Sequence, residues 1–296
     1  MSIFCYQNVL DMKTFAIIFC LAFLPIFAFS QVPAEKSLLW EISGNGLQKS
    51  SFLYGTIHVI CPDELVLSEK TKENFEKTEQ LFLELDLDDP ELTANMQKSM
   101  QNKTHLRKLL STKDYRNVST IFNDRIGYSL DVLGMIKPFY LLSFTYSPMI
   151  GCKEPTSIEN SFLKMAKEQN KEVFGLETLE DQMKIFDGIS QKKQAKMLRN
   201  YIKNFDKMQE SFQQMLNEYK SQDLTALMKA SAAVNLKTNK YEHLLLDNRN
   251  EKWVAKMPQI AMQKSTFFAV GAAHLAGNNG VISLLRKAGY SVKAVL

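Results

Sequence analysis

Phe267-Phe268-Ala269-Val270-Gly271-Ala272-Ala273-His274 is an apolar run that ends in a glycine and, three residues later, a histidine. Such a run is too short for an amphipathic helix and too continuous for a half-exposed strand, so it predicts a strand buried on both faces. The same order of residues stands near the start, Phe52-Leu53-Tyr54 followed by Gly55-Thr56-Ile57-His58. With 12 glycines and four histidines in 296 residues, two histidines preceded by Gly at this spacing are roughly a 1% coincidence on composition. Gly past a buried strand lets the backbone turn sharply or approach a ligand, and it sets the histidine at the rim where open α/β sheets build their sites.

Other short apolar runs, Leu38 to Ile42, Leu81 to Leu85, Val173 to Leu176 and Val292 to Leu296, also read as strands. Gly44-Asn45-Gly46 is a hairpin turn between the first two strands. The rest alternate with helical spacing, which predicts an α/β domain with a mixed, mostly parallel central sheet. No Gly or Pro occurs from Ile189 to Met257. There Tyr201, Phe205, Met208, Phe212, Met215 or Leu216, and Tyr219 recur at steps of three or four, the mark of one long amphipathic helix, with further helices over Leu224 to Met228 and Tyr241 to Val254. A helical insertion over about 189–257 is therefore expected. Its Met and aromatic stripe reads as core, or as a cap closing over a cleft. The apolar stretch from Leu130 to Pro148 is expected to pack against it.

Composition narrows the function. At 45% hydrophobic and 23% charged residues the chain is ordinary globular material, which excludes disorder, collagen and coiled-coil fibre. The 36 basic and 32 acidic residues leave a net charge of only +4, evenly spread, so no nucleic-acid groove is expected. Residues 1–30 read as a signal peptide: Met12-Lys13, an uncharged run from Phe15 to Phe29 broken by Pro25, and Ala28-Phe29-Ser30 as the cleavage site. The mature domain would then be 31–296, secreted or periplasmic, without a later membrane span. Lipoprotein anchoring through Cys20 is disfavoured because bulky Phe19 precedes it. Cys61 and Cys152 remain, and in an oxidising compartment an even count predicts a disulfide.

Two predicted strands end in acid, Leu83-Glu84-Leu85-Asp86 and Gly175-Leu176-Glu177. Strand alternation puts Glu84 and Asp86 on one face, so both reach the rim. Two histidines and up to three carboxylates then converge. Such a set suits a divalent cation (zinc, manganese, cobalt or iron) with open positions for water and substrate. The bland alternative is that the histidines cap strands and bond backbone. His105 and His243, away from any strand end, read as structural. Thr178 is a candidate N-cap.

On Leu39-Trp40-Glu41, Tyr54-Gly55-Thr56-Ile57-His58, Phe82-Leu83-Glu84-Leu85-Asp86, Gly175-Leu176-Glu177-Thr178, Arg249-Asn250-Glu251-Lys252-Trp253 and Val270-Gly271-Ala272-Ala273-His274, the chain resembles the TraB/GumN family. That family includes the Tiki proteases and is distantly similar to ChaN haem-binding lipoproteins and erythromycin esterases. The resemblance implies a metal-dependent hydrolase, most plainly a peptidase assisted by manganese or cobalt. It makes His58, His274 and Glu84 metal ligands, and Glu84, Glu177 and Arg249 the catalytic set. Arg249 then either stabilises an oxyanion or holds Glu84 or Glu177 in place; Glu177 either takes a proton or orients a neighbour. Asp247 stands one place earlier than the family's acid before Arg-Asn, about 100° round a helix, so neither an acid pairing with Arg249 as in the family nor any other Arg249 ion pair is expected. The substrate expected is a peptide or small molecule. The competing reading is a non-catalytic haem, iron or small-ligand binder on the same residues.

Overall fold

The computed structural model describes residues 35–234, 241 and 243–296; the signal-peptide reading and its cleavage site lie outside them. Six strands form one sheet: β1 (Leu39–Ser43), β2 (Ser51–Thr56), β3 (Gln80–Leu83), β4 (Glu172–Gly175), β5 (Thr266–Gly271) and β6 (Ser291–Ala294). Their order is β4-β3-β5-β2-β1-β6. The first four in that order run parallel to one another, while β1 is antiparallel to both β2 and β6. The chain therefore has the α/β fold and mixed, mostly parallel sheet expected.

The hairpin between β1 and β2 is closed by Gly44, Asn45 and Gly46, all in the left-handed region with φ of 79°, 46° and 89°. A β-branched residue there would be strained.

The longer helices are α1 (Glu69–Glu76), α2 (Leu92–Met100), α3 (Thr112–Ile121), α4 (Ile158–Glu168), α5 (Leu179–Asp187), α6 (Gln191–Lys203), α7 (Phe205–Lys220), α8 (Leu224–Val234), α9 (Asn248–Gln263) and α10 (Val281–Lys287). Phe75 of α1 and Phe162 of α4 pack on Tyr54 and Phe267, with ring centroids 4.8–6.3 Å apart. Alternation sends Phe82, Phe174 and Phe268 to the opposite face, where they also meet in a row.

A second apolar core lies among the helices. Leu198, Tyr201, Phe205, Met208, Phe212 and Leu216 are buried there against Leu130, Leu141, Met149 and Ile150, as expected for the 130–148 stretch. The single long helix expected through Tyr201 and Tyr219 is instead two, α6 and α7, broken at Asn204 (φ −112°, ψ 30°). The apolar stripe continues across the break because the bend keeps both helices on the same core. The last helix of the insertion also runs past Met257, through Pro258, to Gln263. Ile57 and Met215 pack against both cores, so the residue before His58 sits at their junction.

Cys61 and Cys152 are joined by a disulfide with Cα atoms 5.9 Å apart. Beside it, Ile60 and Thr156 exchange backbone hydrogen bonds of 2.9 and 2.8 Å, and Ile158 N–H donates to the Ile57 carbonyl. The segment that leaves β2 is thus tied to the segment that enters α4. Among the described residues no helix is long and apolar enough to cross a membrane.

Candidate active site at the rim of the parallel strands

The carboxyl ends of four neighbouring parallel strands deliver the site in sheet order: Glu177 after β4, Glu84 after β3, Gly271 ending β5 with His274 beyond it, Thr56 ending β2 with His58 beyond it. Thr56 and Gly271 are register partners, so the two Gly-x-x-His segments leave the sheet side by side. Beyond β3 and β4 the ladder continues for one step, with Glu177 N–H donating to the Glu84 carbonyl at 3.0 Å.

Both motif glycines answer to close approach. A Cβ on Gly55 would stand 3.0 Å from Ala272 Cβ and 3.1 Å from its Cα, so Gly55 lets the second motif lie on the first. A Cβ on Gly271 would stand 3.1 Å from Glu84 Oε1, 3.6 Å from His274 Cδ2 and 3.9 Å from His58 Nε2. The acid and both imidazoles therefore meet in front of Gly271.

Each imidazole has its Nδ1 tied down. Asn250 Nδ2 donates to the Asn279 carbonyl at 2.8 Å, which turns Asn250 Oδ1 toward His274 Nδ1 at 2.6 Å. His274 must carry its proton on Nδ1, leaving Nε2 as an acceptor. His58 Nδ1 lies 2.6 Å from Glu159 Oε1, again a group that only accepts, so its Nε2 likewise faces outward. His274 is 4% exposed and packs against Trp253 at 4.5 Å, whereas the His58 side chain is 68% exposed.

Arg249 sits behind this front. Nε and Nη2 donate to Glu177, Nη2 also to Glu84 Oε2, and Nη1 to the Leu245 carbonyl at 3.0 Å and to His274 Nε2 at 3.1 Å. All five guanidinium hydrogens are used, and the plane stacks on Trp253 at 4.7 Å. The acids paired with Arg249 come from two strand ends, so the shift of Asp247 leaves it well paired. Glu84 Oε1 accepts from Gly271 N–H at 2.9 Å and lies 3.8 Å from His274 Nε2. Gln182 donates to Glu177 at 2.8 Å from α5, whose start is fixed by a capping box of Thr178 and Asp181.

Burial pushes the Glu84 carboxyl up, but the His274, Arg249 and His58 charges and the Gly271 N–H outweigh it and hold it down at about 2. Burial also drives the His274 imidazolium down, to about 3, despite the charge of Glu84. Desolvation is the largest single influence on His58 and pulls it down, but the hydrogen bond and charge of Glu159, with the charge of Glu84, together outweigh it and raise it to about 9.

Asp86, set on the face of Glu84 by alternation, makes no described hydrogen bond or ion pair with either histidine or with Arg249. β3 stops at Leu83, and the face rule holds only while the ladder lasts. Asp86 Oδ1 is buried without a hydrogen-bond partner; burial and Asp88 push the carboxyl up to about 6. Gly175 serves the same crossing, since a Cβ there would lie 2.7 Å from Asp86 N. His105 caps a short helical turn through Nδ1 and Arg107 N–H, and His243 is exposed on the segment leading into α9. A recess of about 390 Å³ lined by Tyr128, Phe144, Pro148 and Cys152 lies elsewhere and presents neither histidine nor carboxylate.

Sequence reasoning did not single out Glu159 or Asn250. Asn250 stood inside the quoted Arg-Asn-x-x-Trp run, and the repeated need of a metal-binding histidine for an Nδ1 acceptor was the signal that would have found it. Glu159 had no such context beyond its place in the first turn of a helix.

The donor set fits a divalent cation in kind: two imidazole Nε2 atoms with fixed tautomers and one ionised carboxylate. Glu84, Glu159 and Glu177 against Arg249 and the His58 imidazolium leave one negative charge, and two once a cation displaces the proton from His58 Nε2. Among the described residues, however, no three His, Cys, Asp or Glu side chains are grouped so as to hold an ion, and Arg249 Nη1 occupies the His274 Nε2 lone pair.

A sheet rim carrying paired Gly-x-x-His segments, an acid and a buried Arg defines a class, and the TraB/PrgY/gumN family model matches residues 38–294. The chain belongs to that family. An uncharacterized protein of Treponema pallidum (strain Nichols) is 22% identical over 278 residues, covering 87% of this chain and 82% of that one. The protein named Metalloprotease TIKI2 in Danio rerio is 24% identical over 325 residues, covering 87% of this chain but 61% of the fish protein. No solved structure matches.

Proposed function

We propose that the protein is an exported, metal-dependent hydrolase, most simply a peptidase, working at the rim of the parallel strands. The observation that carries this reading is the convergence of His58 Nε2, the His274 ring and Glu84 Oε1 on the space in front of Gly271. In this scheme His58 and His274 hold a divalent cation, manganese or cobalt by family likeness, with zinc or iron as alternatives, and Glu84 is either the third ligand or the base beside it. Such a cation supplies Lewis acidity toward a carbonyl and toward water.

The chain's own groups do the rest. Glu84 Oε1 is assigned the proton taken from water, with Oε2 kept on Arg249. Glu177, held by Arg249 and Gln182, orients the guanidinium. Arg249 Nη1 bonds no carboxylate, and the hydrogen it gives to His274 Nε2, released when that atom holds a cation, is the one assigned to a developing oxyanion. The relative named a metalloprotease supports a peptide substrate, and the Cys61–Cys152 disulfide agrees with an oxidising compartment and a secreted or periplasmic location. A net charge of only +4 argues against a nucleic-acid partner.

The test is elemental analysis of protein equilibrated with mixed divalent metals, wild type against His58→Ala/His274→Ala, followed by peptide-library turnover. Metal near one equivalent, lost in the double variant, with turnover abolished by Glu84→Gln, is expected. Equal and negligible metal in both would overturn the proposal. A second reading, capture of haem, iron or another small ligand without chemistry, is favoured by the full engagement of Arg249; a ligand bound equally by wild type and Glu84→Gln, with no turnover, would support it.

A further inference from the structure

The two imidazoles are supported unequally. His274 is enclosed by Asn250 and Trp253 and is 4% exposed. His58 stands on an open loop, and its described polar tie is the 2.6 Å contact from Nδ1 to Glu159 Oε1. Glu159 itself is 6% exposed. Its Oε1 also accepts from Thr56 Oγ1 at 2.6 Å, while Oε2 is buried with no hydrogen-bond partner.

A carboxylate buried with one oxygen unsatisfied is costly unless a positive charge sits against it. No Lys or Arg contact to Glu159 appears among the described ion pairs; its partner there is His58. The carboxylate is carried by the first turn of α4, after Ser157, whose side chain accepts from Asn160 N–H. The Ile60–Thr156 bridge and the disulfide brace that turn against the loop of His58. An expensive group is therefore held rigidly against Thr56 and His58, and of these only His58 can carry the charge that offsets it.

We propose that Glu159 is a positioning residue: it fixes the His58 ring with Nδ1–H inward and Nε2 toward Gly271 and Glu84. The consequence for metal binding rests on the function proposed above; the orientation itself does not. A buried acid behind a histidine ligand holds the ring and raises its donor strength, and losing such a partner costs about 10–100-fold in metal affinity.

Two readouts separate the proposal from its premise. In metal-free protein, proton NMR should show a downfield, slowly exchanging Nδ1 proton that disappears in His58→Ala and in Glu159→Ala. It should persist in Glu159→Gln, whose amide oxygen still accepts. In calorimetric titration with Zn²⁺ alone, Glu159→Ala should weaken binding by about 10–100-fold and Glu159→Gln by less. Absence of the protected proton in the folded wild type would overturn the proposal, as would wild-type Zn²⁺ affinity in a folded Glu159→Ala. A protected proton lost only in the two Ala variants, with no Zn²⁺ binding by wild type, would uphold the orientation and overturn the metal reading. Should Glu159→Ala fail to fold, Glu159→Leu and the Gln variant carry the same comparison.

Discussion

Thr56 and Gly271 stand opposite each other in the parallel ladder, so His58 and His274 depart from neighbouring strands two and three residues later and reach the same space. The convergence is a matter of register, and it depends on there being no side chain at either glycine.

Gly55→Ala should destabilise the fold by about 1–3 kcal/mol, since the added methyl meets Ala272 backbone and Cβ at 3.0–3.1 Å. Gly271→Ala presses on the Glu84 carboxylate instead and should weaken metal binding more than stability. Denaturant melts and metal titration of both variants check this; equal effects of the two on stability would contradict it.

Arg249→Met should cost about 3–5 kcal/mol, because it strands Glu84 and Glu177 as buried unpaired acids. Arg249→Lys should recover only a part of this, having no planar fork to serve two acids, a carbonyl and an imidazole. Full recovery by Lys in urea unfolding would refute the shared-fork account.

In metal chelator, stability should peak near pH 6.5. His274 has its pKa lowered to about 3, so its contribution is present above 6.5 and is lost as pH falls toward 3, where the unfolded chain takes up the proton first. Glu84, lowered to about 2, adds to this acid loss below its ordinary 4.5. His58, raised to about 9, contributes fully below 6.5 and loses that contribution as pH rises through 9. Thermal melts across pH 3–10 would test the shape, and His274→Gln should flatten only the acid limb.

Reducing the Cys61–Cys152 bridge, or Cys61→Ser with Cys152→Ser, should lower stability by up to about 4–5 kcal/mol for a loop of this length. Phe162→Ala should cost about 3–5 kcal/mol by emptying the aromatic cluster with Phe75 and Phe267. Both are read from denaturant midpoints.

All six strands were legible because each is a short apolar run with no helical period, and the hairpin because only Gly-Asn-Gly supplies three left-handed residues in a row. His58, His274, Glu84 and Glu177 were legible because they follow such runs directly. The break at Asn204 was not: the spacing from Tyr201 to Phe205 is the same with or without a bend. The end of β3 at Leu83 was not legible either, since it leaves no mark in Leu83-Glu84-Leu85, and alternation holds only while the ladder lasts. Glu159 was invisible because its meaning comes from a partner 101 residues away.

β5 is the fifth strand made but lies third in the sheet, between β3 and β2. A chain emerging from a ribosome or a translocation pore thus holds a gap at its centre until residues 266–271 arrive, and closing that gap brings in His274 at the same moment. Assembly of the sheet and arming of the rim are one event. A chain cut short before β5 would lack both the strand that joins β3 to β2 and the second histidine of the rim.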